Sequence, residues 1–338
     1  MDWFERLTGF REDGYERTRE RLQVQGSRLH SLVNGCSYAI GELELVSLQD
    51  LRERHLSSAS ASSGQIRVSI VTGNVRPMHQ WPEHDGALFQ VASQFNLLEM
   101  VAPAVTPEDG VTRYEHDHTQ GPACAIAVGA ATIYRNYFAP VDGAIGQTSK
   151  RQIDSLAGLG QALSVTTGLA VDELWAMKNG YALCRAGGLS AIADALQSMS
   201  PSELDALRAR LCIGLHWRVE VTDMELEPRN TVSQAFCSAI PVAYSDLPGH
   251  NWRPLTSLVL EAAYEATLLA AAENSRRGGS KVVLLTRLGG GVFGNEDEWI
   301  DSAMRRALQT MRNLDLEVKL VSYGQPSVAM LRLTQEFQ

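Results

Sequence analysis

The stretch KVVLLTRLGGGVFGNEDEWIDSAMRRALQTM, residues 281–311, reads as a strand, a glycine turn and a helix in succession. An apolar run ends in Gly289, Gly290 and Gly291; Val292, Phe293, Gly294 and Asn295 follow, and an acidic helix start comes next. Ile300, Ala303, Met304, Ala307, Leu308 and Met311 recur at helical spacing and make one apolar stripe. LEVKLVSYG (316–324) then supplies a last strand. Strand, helix and strand in this order predict a parallel pair joined by a right-handed crossover. The turn itself has two readings. GGGVFG (289–294) fits G-x-G-x-x-G, in which backbone N–H groups approach a pyrophosphate at a helix start. It also fits a tight turn before a crowded helix.

Outward from this stretch, the chain reads as α/β. PLTSLVLEAAYEATLLAAAEN (254–274) predicts a long helix buried on most sides, and SRRGGSK leads from it to the strand at 281–288. LHWRVEVTD (215–223) and TVSQAFCSAIPVAYS (231–245) read as strands around a polar loop. PSELDALRARL (201–211) carries an N-cap and periodic leucines, the mark of a helix. GPACAIAVGAATIYRNYF (121–138) reads as one buried helix of small residues. HDGALFQVASQFNLLEM (84–100) reads as a turn and a helix, and IRVSIVTGN (66–74) as the first strong strand. SSASASSGQ (57–65) is a low-complexity linker, preceded by a short helix at 48–54 and a polar helix over 15–33. No internal repeat is present.

The 338 residues suffice for one large domain or two ordinary ones, and 44% hydrophobic with 20% charged residues is the balance of a folded soluble protein. A net charge of -9 argues against a nucleic-acid partner, because phosphate binding needs a positive surface. It suits a basic partner instead, such as an arginine-bearing protein patch. The five cysteines are scattered and include no C-x-x-C pair, which predicts neither a disulfide framework nor a structural zinc site. The N-terminus is too charged for a signal peptide, and no apolar run reads as membrane-spanning. The expected location is the cytosol or nucleus, or a host cytosol after delivery.

A nicotinamide-dependent oxidoreductase is one class the glycine turn suggests. Against it, a dinucleotide fold normally opens a domain with this turn and needs several strands after it. Here one strand remains, and it ends in SYG rather than in an acid for a ribose. No P-loop motif occurs.

The strand, the G-V-F-G turn, the amphipathic helix and the closing LEV strand resemble the C-terminal part of macrodomains, modules that bind ADP-ribose. HDHTQGPACAIAVGAATIYRNY, VSQAFCSAIPVAYS and LLTRLGGGVFGN resemble a divergent, enlarged branch of that group. That branch includes poly(ADP-ribose) glycohydrolases and bacterial effectors that remove ADP-ribose from an arginine of ubiquitin, with eukaryotic relatives. LTGFRE near the start belongs to the same set, although the glycohydrolase glutamate pair after the glycines is absent.

The resemblance implies a macrodomain-like three-layer α/β/α fold with a mixed, largely parallel sheet and helical insertions. Residues 1–64 would form an N-terminal helical extension packed on the core. Residues 65–338 would form the ADP-ribose-binding domain, with a large helical insertion at about 140–212. Gly289, Gly290, Gly291, Val292, Phe293 and Gly294 would cradle the diphosphate and place the aromatic ring against the distal ribose, with Asn295 at the helix cap. A second binding segment would run from Asn74 to Asp85, which opens a helix. Phe10, beside Gly9, is available to stack on adenine or ribose, or to anchor the core.

The implied activity is an ADP-ribosyl hydrolase acting on an ADP-ribosylated protein, with no metal or other cofactor and no membrane. The alternative is a reader module that binds ADP-ribose without chemistry. Breaking a ribose–arginine bond calls for carboxylates to stabilise the oxocarbenium-like carbon, activate water and grip the guanidinium. Two acidic loops offer them. In RYEHDHTQGPACA, Glu115 and Asp117 precede Thr119, Gln120 and Gly121 at a helix start; helix capping is the other reading. In VEVTDMELEPRNTVSQ, Asp223 and Glu225 alternate at a strand end; a solvated hairpin tip is the other reading. The Asn179-Gly180 turn has no assigned role.

Overall fold

The computed structural model describes residues 1–58, 64–225, 227–247 and 249–337, so most of the expected linker at 57–65 lies outside the described residues. Seven strands make one sheet: β1 (Glu42–Ser47), β2 (Arg67–Thr72), β3 (Leu88–Ala92), β4 (Cys212–Glu220), β5 (Thr231–Cys237), β6 (Val282–Leu285) and β7 (Glu317–Ser322). Their order is β1-β4-β5-β3-β6-β7-β2. From β5 to β2 every neighbouring pair is parallel. β4 runs antiparallel to both of its neighbours. The sheet is therefore mixed and largely parallel, as expected.

Both faces are covered. All four residues of β6 are buried, as in a central parallel strand with helices on each side. Val283 and Leu285 join the core of one face, and Val282 and Leu284 that of the other. Four helices matter to the site: α1 (Gln120–Ala127), α2 (Gly129–Tyr137), α3 (Trp252–Arg276) and α4 (Asp297–Thr310). α1 and α2 lie over one face, and α3 and α4 over the other.

α3 is long and apolar enough to cross a membrane by length and composition, contrary to the reading of the sequence. Its apolar surface is instead covered by strands, α4 and the helices Leu48–Ser57 and Ala186–Ser198. Its buried Glu265 is held by Arg52 and Arg306.

Four further readings change. Residues 15–33 hold only a short helix, Tyr15–Glu20, followed by the hairpin Leu22–Gln25 and Arg28–Ser31. Residues 1–64 are not only helical and not only packed on the core, since they carry strands as well and one of these, β1, is the edge strand of the main sheet. The segment 84–100 is β3 and a loop rather than a helix, because a strand buried on both faces lacks the alternation that separates it from a buried helix. The stretch 121–138 is two helices, broken at Val128.

Candidate functional site

Parallel strands leave a crevice beyond their C-terminal ends. Here the ends of β3, β5 and β6 open into a cavity of about 210 Å³. The glycine loop forms one wall. Gly289, Gly291 and Gly294 have positive φ of 73°, 77° and 70°. A Cβ on Gly289 would stand 2.6 Å from that of Ala239, so glycine is required there by space as well as by dihedral. The buried Asn295 fastens the loop: its side chain donates to Ile240 O at 2.8 Å, and its amide to Gly289 O at 3.0 Å. The amides of Gly291, Val292 and Phe293 donate to no described residue. Three free N–H groups on one turn are what an anion needs. Gly294 packs on Ala243, behind the lining.

The opposite wall is the start of α1. Asp117, Thr119, Gln120 and Gly121 all line the cavity. Asp117 Oδ1 accepts from the Thr119 amide at 2.9 Å, which folds the turn before α1; neither Asp117 nor Thr119 makes a side-chain cap on the helix itself. Gln120 is a clip on the end of β3. Its Oε1 accepts from Ala92 N and its Nε2 donates to Gln90 O, each at 2.8 Å. Gly121 allows α1 to touch β3, for a Cβ there would overlap the Ala92 carbonyl oxygen. Gly121→Ala is therefore expected to cost about 3 kcal/mol of stability by overpacking, measured by urea denaturation.

The cavity's deepest carboxylate is Glu99, which was not singled out from the sequence. It is 2% exposed and lines the cavity. Its partner Arg135 is wholly buried on α2, with Nη2 at 3.3 and 3.4 Å from the two carboxylate oxygens. Arg135 also donates from Nε to Leu97 O at 3.1 Å and lies 4.0 Å from the Phe236 ring centroid. Burial pushes the Glu99 carboxyl up to about 7, against the pull of Arg135. A carboxyl that changes charge near neutrality, inside a cavity, is poised for proton transfer. The available signal was a lone carboxylate inside the apolar run FNLLEM.

That shift has a consequence for stability. Between 4.5 and about 7 the folded protein keeps a proton that the unfolded chain has released. The contribution of Glu99 is full below the unfolded value and falls as pH rises through about 7. Urea midpoints at pH 5 and pH 8 should show wild type losing stability relative to Glu99→Gln as pH rises; parallel behaviour of the two proteins would refute it.

Tyr181, Tyr244 and Phe293 come from three segments and meet in the cavity's lining, with ring centroids 5.2 to 5.9 Å apart. Tyr181 and Tyr244 carried no mark in the sequence that set them apart from core aromatics.

Several candidates stand elsewhere. β4 runs antiparallel, so Asp223 and Glu225 emerge at the other end of the sheet. Asp223 donates its amide to Ala127 O, at the end of α1 away from the cavity. Arg76 holds its carboxylate at 2.6 and 2.7 Å. Glu225 shares a separate cleft with Asp223, beside Trp3 and Arg6. Glu115 does not line the cavity; it adds to the field around Arg76, behind the larger effect of the Asp223 hydrogen bond. Asn74 caps the short helix Val75–Met78 by accepting from Arg76 N at 2.9 Å. Asp85 accepts from Thr231 N at 2.9 Å, at the beginning of β5 and hence across the sheet from the cavity. The segment opposite the glycine loop is thus 93–100, not 74–85. Phe10 is a core residue, edge-on to Phe4 at 5.6 Å.

No family model and no curated protein matches the chain. Among solved structures it is similar to poly(ADP-ribose) glycohydrolase from Thermomonospora curvata, at 13% identity and a TM-score of 0.45, covering 94% of each chain. It is also similar to the glycohydrolase from Deinococcus radiodurans in complex with ADP-ribose, at 11% identity and a TM-score of 0.48, covering 88% of this chain and 95% of that one.

Proposed function

We propose that this chain is an ADP-ribosyl hydrolase that releases ADP-ribose from a protein side chain, with arginine preferred. The observation that carries the reading is one cavity in which a loop with free amides stands opposite a buried carboxylate, Glu99. The amides of Gly291, Val292 and Phe293 would take the diphosphate. The Phe293 ring would lie against the distal ribose. Bond breaking would build positive charge on the ribose carbon. Water adds its oxygen to that carbon, the carbon–nitrogen bond breaks, and the electron pair leaves on the guanidino nitrogen. Glu99 would take the water proton. Asp117, at the same cavity, would grip the guanidinium by charge-assisted hydrogen bonds.

The test is release of ADP-ribose from arginine-modified protein, followed by mass spectrometry beside aspartate-, glutamate- and serine-linked substrates. Ubiquitin modified on arginine is the first substrate to try, on the strength of the sequence resemblance. Release from arginine alone supports the full reading. Release from another linkage keeps the hydrolase and corrects its bond. Binding without release from any of them makes the chain a reader, and no binding of ADP-ribose at millimolar concentration by calorimetry removes both readings.

A further inference from the structure

We propose that the hairpin of Trp175–Lys178 and Tyr181–Cys184 is a working part of the site, and that Tyr181 is a positioning residue for Glu99; the catalytic half of this inference rests on the hydrolase reading. The hairpin lies between the helices Val171–Leu174 and Ala186–Ser198, outside the main sheet. Its Asn179-Gly180 turn has positive φ at both residues, 46° and 80°, the tight two-residue connection that strand twist favours. The tip is pressed into the loop 93–100. A Cβ on Gly180 would stand 2.6 Å from Asn96 Cγ and 2.7 Å from Gln94 Cβ. Phe95 N donates to Gly180 O at 2.9 Å. Asn179 donates to Pro103 O and accepts from Gln152, each at 2.8 Å.

The residue after this turn reaches the peptide beside Glu99. Tyr181 Oη donates to Met100 O at 2.6 Å. Gln94 accepts from Met100 N at 2.7 Å and donates to the same Tyr181 oxygen at 3.4 Å. Both polar groups of Met100 are thereby held. The loop needs such holding, because Leu97 sits at a φ of 62°, a conformation that persists only where its surroundings over-determine it. The Tyr181 ring also packs on Phe293 of the glycine loop, with centroids 5.5 Å apart. One side chain thus ties the carboxylate loop to the anion loop. Alignment between the two is where small displacements cost rate.

The test compares wild type with Tyr181→Phe as full-length chains, since the variant keeps the ring and loses only the hydroxyl. Loss of one hydrogen bond at the Glu99 loop should lower kcat about five- to tenfold. The Kd for ADP-ribose should stay within about twofold, because the anion loop is untouched. Amide exchange of the Glu99–Met100 segment should quicken by about tenfold. An unchanged exchange rate overturns the positioning role, even where kcat falls. A rise in Kd that matches the fall in kcat also overturns it, since Tyr181 would then be a wall for the ligand. Should wild type release ADP-ribose from no linkage, the hydrolase reading fails by itself, and the exchange rates still decide whether Tyr181 holds the loop.

Discussion

Glu99→Gln is expected to lower the release of ADP-ribose from modified arginine by about a hundredfold or more, the range for removing a positioned general base. The amide keeps the size of the side chain, so the cavity keeps its shape. Binding of free ADP-ribose should change little, because the diphosphate contacts lie on the glycine loop. The pH dependence carries further information. A guanidinium leaving group already has its proton, so the chemistry needs a base for water and no acid. Wild-type kcat should rise with pH through about 7, the value to which burial raises this carboxyl, and that limb should vanish in the variant. An oxygen-linked substrate would need the protonated acid instead, and its rate should fall over the same range. The direction of the limb thus reports the linkage. Wild-type turnover in Glu99→Gln would move the chemistry to Asp117, the other carboxylate lining the cavity.

Gly291→Asp is expected to abolish ADP-ribose binding, with a loss of about a hundredfold or more from placing a carboxylate beside a diphosphate in a partly dry site. Gly291 is the glycine to use. Its Cβ would meet nothing within 4 Å, whereas a Cβ on Gly289 would strike Ala239 and Asn295. Its φ of 77° is left-handed, a region that Asp and Asn tolerate better than other side chains. Gly291→Asn therefore serves as the control of equal size. Calorimetry should show the asparagine variant binding within about tenfold of wild type and the aspartate variant not at all. Equal binding by both would show that the diphosphate is not held on this loop, and the assignment of the anion site to Gly291, Val292 and Phe293 would fall.

Much of the architecture was legible because its signals are local. The apolar stripe from Ile300 to Met311 and the strands around it have periods set by backbone geometry, and they appear where expected as α4, β6 and β7. The glycines of 289–294 were legible as a turn because positive φ is nearly private to glycine. The strand β3 was misread because burial on both faces erases alternation. Glu99 stayed hidden for a related reason: what shifts its carboxyl is burial by segments distant in sequence, and even the partner that opposes the shift, Arg135, stands 36 residues away.

The α/β class of the fold, the glycine turn and the acidic segment at Asp117 are all readable along the chain. Each of these rests on neighbours a few residues apart. Which carboxylates share the cavity is visible only in the folded chain. That choice depends on strand direction: β4 runs against the other strands and carries Asp223 away, while β3 runs with β6 and brings Glu99 toward the glycines. Direction in a sheet is set by pairing between distant segments, and no local pattern of residues encodes it.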